Sequence, residues 1–128
     1  MTTYEQPPTT FAELIAPFPI VVRESATTLR ALILEAMPEA HEHVSGGLKF
    51  ATALYSLGRP TNVACGLQPT ATHCKLYLHH VRPGDVADLK LEGAGKNARH
   101  VKVSSSTAAR HGAIVAAIAR ACRGAGAV

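Results

Sequence analysis

The sequence predicts an α+β fold: an antiparallel sheet of about five strands with N-terminal and C-terminal helices packed on one face. Three observations carry this. Residues 19–36 repeat apolar side chains at three-and-four spacing, and residues 41–103 hold four or five short strand-like runs bounded by Gly or Pro. Residues 104–124 then return to helical spacing after a run of capping residues. The 128-residue chain is sized for one domain over residues 11–128 behind a polar tail at 1–10, and it can bury roughly two thirds of its unfolded surface without disulfides or metal. With no Trp and 5% aromatic residues, its core must be aliphatic and alanine-rich.

Taken in order, Thr10-Phe11-Ala12-Glu13 fits a capping box, so a short helix runs to about Ala16 and Pro17 ends it. From Pro19 to Ala36, Val22, Ala26, Leu29, Ile33 and Ala36 form one stripe, and Met37-Pro38 stops the helix because a residue before proline is pushed toward extended geometry. Strands are expected over His41 to Ser45, Leu48 to Leu57, Asn62 to Leu67 and Cys74 to Val81, and the short loops between them favour a meander. If Pro69 to Thr72 is a hairpin turn, Val63 faces Leu78 and Cys65 faces Leu76. That parity puts Val63, Cys65, Leu67, Cys74, Leu76, Leu78 and His80 on one face, and Lys75, Tyr77 and His79 on the other. A fifth strand, Arg99 to Val103, alternates Val101 and Val103 with His100 and Lys102. Ser104 to Thr107 offers N-caps for a last helix with Ile114, Val115, Ile118 and Cys122 inward and Arg110, Arg120 and Arg123 outward, ending at Gly124. The sheet face away from the helices must be solvated, meet a partner or bind something.

The net charge of +4 is unevenly placed. Residues 1–92 hold all nine acids and seven bases, whereas residues 93–128 hold six bases and no acid. The first residues lack the basic and apolar regions of a secretory signal, and no run reaches the roughly 18 apolar residues needed to span a bilayer. Cys65, Cys74 and Cys122 form an odd set without C-x-x-C spacing, which predicts reduced thiols in a soluble cytoplasmic protein.

Each candidate site has a bland counterpart. Gly93-Ala94-Gly95-Lys96 is not a P-loop: Lys90 stands where the first Gly belongs, Asn97 replaces Ser or Thr, and a strand follows rather than a helix. The weaker reading keeps Gly93 and Gly95 as exposed amides, with Lys96, Arg99, His100 and Lys102 supplying charge for a carboxylate or phosphate. The bland reading is a glycine turn feeding a solvated edge strand. His41 and His43 point the same way in a strand and could share a metal, but two ligands do not make a site. Cys65, His73 and Cys74 invite a nucleophile reading, yet both thiols fall on the leucine-rich face, where they behave as small hydrophobes. Lys75, Tyr77, His79, His100 and Lys102 form a basic patch around one aromatic, a poor platform for stacking nucleic-acid bases and equally a seat for a homodimer.

Leu29-Arg30-Ala31-Leu32-Ile33, then Pro38-Glu39-Ala40 with Glu42 and Val44, and above all Leu91-Glu92-Gly93-Ala94-Gly95-Lys96-Asn97-Ala98-Arg99-His100-Val101-Lys102 resemble the YdhG-like family, domain-of-unknown-function family 1801. The likeness spans about Val21 to Ala121, and its most specific part is the string L-E-G-x-G-K-x-x-R-H-V-K. The resemblance implies a small bacterial α+β domain with a helix-flanked antiparallel sheet. Through relatives described as frataxin-like, it also implies iron binding by carboxylates as an alternative function, though no metal residue is carried over by the motif.

The sequence thus predicts a non-enzymatic domain, monomer or homodimer, that binds a small anionic ligand or a protein partner through the sheet face and the segment from Gly93 to Lys102. Neither nucleic acid nor membrane is an expected partner, and no cofactor or catalytic set is indicated. Metal handling through His41 and His43 or scattered carboxylates is the alternative.

Overall fold

Helix α1, Phe11–Ile15, begins where Thr10 Oγ1 accepts the Glu13 amide at 3.1 Å. The return bond of the capping motif is displaced by one residue, because Glu13 Oε1 accepts from the Thr9 amide at 2.9 Å rather than from Thr10. Helix α2, Ile20–Ala36, follows Pro19 and stops at Met37. Its inward stripe is Val22, Ala26, Leu29 and Ile33 with Ser25, whose hydroxyl donates to the Val21 carbonyl. Ala36 is exposed, contrary to its expected place in the stripe, and Met37 beyond the helix end is buried instead. The computed structural model describes residues 4–86, 89–92 and 99–127.

Five strands follow: β1 His41–Ser45, β2 Thr52–Ser56, β3 Val63–Pro69, β4 Cys74–Leu78 and β5 Arg99–Val103. They form one antiparallel sheet in the order β1-β2-β3-β4-β5, the meander that short loops favour. The β3–β4 register differs from the expected one by two residues: Cys65 faces Leu78, Leu67 faces Leu76 and Pro69 faces Cys74. The turn is tighter than predicted. The Thr70 amide donates to the His73 carbonyl at 2.7 Å while Thr70 Oγ1 accepts the His73 amide, leaving only Ala71 and Thr72 at the tip. A shift of two preserves the side-chain period, so Cys65, Leu67, Cys74, Leu76 and Leu78 still share the buried face. His80 leaves that set, with φ of 60° and its ring directed at Asn62 Oδ1.

The expected last helix is two. Ser105 Oγ accepts the Ala108 amide and starts α3, Ser106–Ala109; His111 Nδ1 then accepts the Ala113 amide and starts α4, Gly112–Gly126. Helix α4 passes Gly124 and ends two residues later. Its buried face is Ile114, Ala117, Ile118, Ala121, Cys122 and Ala125; Val115 is exposed, and Arg110, Arg120 and Arg123 lie outward.

Helices α2 and α4 both pack on β3, α1 touches β2, and α3 closes on β5, so the helices cover one face of the sheet. The core between the layers is built of Leu29, Ile33, Leu67, Leu76, Leu78 and Ile118, with alanines where the helices approach the strands. Replacing one of these leucines with alanine would cost about 2–5 kcal/mol. Phe11 and Tyr55 are the two buried aromatic side chains. Among the described residues, no helix is long and apolar enough to cross a membrane.

Candidate open-face binding site

The face of the sheet away from the helices carries a continuous cross-strand row. His43 stands opposite Leu54, Leu54 opposite Gly66, Gly66 opposite Tyr77, and Tyr77 opposite His100. A second row places Gln68 opposite Lys75 and Lys75 opposite Lys102. Strand alternation alone brings Lys75, Tyr77, His100 and Lys102 into one patch, because β4 and β5 are paired residue for residue. The Tyr77 and His100 rings touch at 5.1 Å between centroids, and the Tyr77 hydroxyl donates to Gln68 Oε1 at 3.0 Å, which holds the ring in place.

Glu92 completes this patch. Its amide and carbonyl exchange hydrogen bonds with His100 at 2.7 and 3.0 Å, so it lies beside β5. Its carboxylate Oε2 sits 3.6 Å from Lys102 Nζ and 3.7 Å from His100 Nε2. One ammonium, Lys102, and the His100 ring beside it therefore already face one carboxylate of the chain itself.

The imidazoles here are disfavoured as cations. Burial lowers the His100 pKa first, the Lys75 charge adds to this and Glu92 opposes it. His73 is lowered by burial and then by Lys102 and Lys75, and its Nε2 is buried with no hydrogen-bond partner among the described residues. His79, whose amide donates to the Ala64 carbonyl beyond the end of β4, is lowered by burial and by His80. The uncharged state of these rings follows from their packing, which the sequence alone could not show.

The remaining sequence-derived residues divide as follows. Gly93, Gly95 and Lys96 lie outside the described residues. Arg99 stands opposite Leu78 and so alternates onto the helix-covered side, away from His100 and Lys102. His41 and His43 share the open side of β1, opposite Ser56 and Leu54, while Glu42 between them turns the other way. Among the described residues, no three His, Cys, Asp or Glu side chains come together as a metal site. Cys65 and Cys74 are wholly buried, and burial pushes the Cys74 thiol up to about 12, which leaves it inert; Cys65 is raised by its hydrogen bond with Cys122 and by burial. His73 lies in the turn just before β4, with its Nδ1 2.9 Å from Thr72 Oγ1 and its ring near the charges of Lys102 and Lys75.

Sequence reasoning missed Glu92 as a member of the patch, although it stands in the string that carries the family likeness; its contact with His100 depends on a backward pairing that no local pattern announces. No family model, curated protein or solved structure matches the chain.

Proposed function

We propose that this small α+β domain is a non-enzymatic binding protein that holds a small anionic ligand on its open sheet face, between Lys75 and Lys102 with His100 and Tyr77 beside them. The observation that carries the reading is the Glu92 carboxylate lying within 4 Å of both Lys102 Nζ and His100 Nε2. An external carboxylate or phosphate would meet the same Lys102 ammonium, and Lys75, directly across from Lys102, supplies a second. The reading assigns the chain to the YdhG-like family on the string from Leu91 to Lys102, which contributes Glu92, His100 and Lys102 to the patch. Three buried free thiols support a reducing, cytoplasmic setting.

Calorimetric titration with pyrophosphate at low salt tests it. The wild type should bind with an affinity that falls as salt rises, and a Lys75→Gln/Lys102→Gln variant should bind at least about tenfold more weakly, as expected for losing charge-assisted hydrogen bonds. Equal affinity in the variant would overturn the reading.

A further inference from the structure

Only six aromatic side chains occur in this chain, three Tyr and three Phe. Phe11 and Tyr55 are consumed by the core. The other four, Tyr4, Phe18, Phe50 and Tyr77, all line one groove of about 460 Å³ at the end of the open face, together with Lys49 and Lys75. Three separate stretches of chain converge there: the segment around α1, the loop before β2 and the β3–β4 hairpin.

Their placement is fixed by polar contacts. The Tyr4 hydroxyl donates to the Leu14 carbonyl at 2.7 Å, and its ring meets Phe18 edge-on at 6.2 Å. Tyr77 is held by Gln68. Phe50 is 69% exposed and packs into no core, yet its backbone is fastened: its amide donates to the Gly46 carbonyl, and its own carbonyl accepts from Thr52 Oγ1. Gly46 permits this by adopting φ of 104°, and a Cβ there would fall 2.0 Å from the Phe50 oxygen. A ring held out over a groove gains nothing from folding, whereas it gains contact when a flat ligand enters.

We infer that this groove is a site for a planar aromatic carboxylate, its ring lying among Tyr4, Phe18, Phe50 and Tyr77 and its charge meeting Lys49 and Lys75. The volume lies within the range of small-molecule sites, and four aromatic rings set among the polar groups of Lys49, Gln68 and Lys75 offer both a flat contact and charge. The inference rests on the anion reading above, since Lys75 serves both, and it adds the ligand's chemical class.

The test is an NMR titration of the full chain at pH 7.5 with 1-naphthoate, cyclohexanecarboxylate and neutral 1-naphthamide. The proposal expects 1-naphthoate to bind about tenfold more tightly than either control, from ring contacts and charge together. Phe50→Ala, an exposed position that leaves the core intact, should remove the preference over cyclohexanecarboxylate, and Lys49→Gln should remove the preference over 1-naphthamide. If the two carboxylates bind equally and both are weakened by Lys75→Gln/Lys102→Gln, the aromatic ligand is overturned while the anion reading stands. If 1-naphthamide binds as tightly as 1-naphthoate, the charged part of the proposal is overturned. Absence of 1-naphthoate binding by a protein that still binds pyrophosphate overturns the aromatic ligand alone, and absence of both 1-naphthoate and pyrophosphate binding removes both readings.

Discussion

The Tyr55 hydroxyl, fully buried on β2, donates a 2.6 Å hydrogen bond to Glu42 Oε2 on the neighbouring strand. Arg30 grips the same carboxylate from α2 through Nε at 2.6 Å and Nη2 at 3.1 Å, with its guanidinium 4.9 Å over the Phe11 ring. Helix and sheet edge are thereby joined through one acid, which strand alternation turns to the side of β1 opposite His41 and His43.

Glu42→Ala should therefore destabilise the fold by about 1–3 kcal/mol, the cost of leaving a buried hydroxyl unpartnered, as read by urea unfolding at pH 7. Burial alone would raise the Glu42 pKa, but hydrogen bonds from Arg30 and Tyr55 and the Arg30 charge outweigh it and hold it below the ordinary 4.5. Folded Glu42 thus releases its proton more readily than unfolded Glu42. The stabilisation is complete above the unfolded value and lost as pH falls through the folded one. The stability difference between wild type and Glu42→Gln should accordingly shrink below about pH 4.5; a difference constant down to pH 2 would contradict the clamp.

For the open face, the sign is opposite to that of a histidine stabilised as a cation. His100 has a folded pKa below the ordinary 6.5, first through burial and then through Lys75. The folded state therefore binds fewer protons than the unfolded state between the two values, and acidification from 6.5 downward costs stability. Charge on the patch grows only below 6.5, so affinity for sulfate, whose own charge is constant there, should rise as pH falls from 6.5 toward 5. NMR titration of the His100 ring should give a midpoint below 6.5; a midpoint at or above it, or a flat sulfate affinity, would count against this account.

Lys75 and Lys102 are like charges in direct cross-strand register, and only Lys102 has Glu92 beside it. Lys75→Gln should leave stability unchanged or raise it by a few tenths of a kcal/mol, because it relieves a like-charge pair that solvent only partly screens, while Lys102→Gln should not raise it. Thermal unfolding at low salt reads this difference. A marked loss of stability in Lys75→Gln would mean that its aliphatic stem, rather than its charge, is what the fold uses.

At the far end of the sheet, Asn62 Nδ2 donates to both the Leu57 and Ala125 carbonyls, tying the β2–β3 loop to α4. His80 packs so closely on this helix that a Cβ at Gly124 would fall 2.4 Å from the His80 Cβ, whereas one at Gly126 would meet only Leu57 Cδ2 at 3.9 Å. Gly124→Ala should lower stability by about 1–3 kcal/mol through overpacking, and Gly126→Ala should be neutral or slightly stabilising. Calorimetric melting of the two variants separates the outcomes. Equal effects would show that α4 can shift away from His80 without cost.

Much of this arrangement is legible along the chain. Thr10 as a cap, the stripe through Val22, Ala26, Leu29 and Ile33, and the alternation of Lys75, Tyr77, His100 and Lys102 against Leu76, Leu78, Val101 and Val103 depend on local geometry with a fixed period. The β3–β4 register was less accessible, since Thr70 and His73 close the turn through a side-chain bond that competes with the simpler turn at Pro69. The break between α3 and α4 escaped detection for a related reason: His111 caps a helix through its ring nitrogen, and nothing in the apolar spacing interrupts the pattern there.

The sequence by itself determined the helix–helix–sheet–helix outline, short of the α3–α4 break, together with the antiparallel meander and the alternation of side chains along each strand, because helical and strand periods are properties of the local backbone. Tertiary structure alone decided that Glu92 lies between His100 and Lys102, that Arg30 and Tyr55 meet on Glu42, and that Tyr4, Phe18, Phe50 and Tyr77 surround one groove. Each of those contacts joins residues from different elements. Such contacts are set by how the layers dock, a long-range outcome that no spacing within one segment encodes.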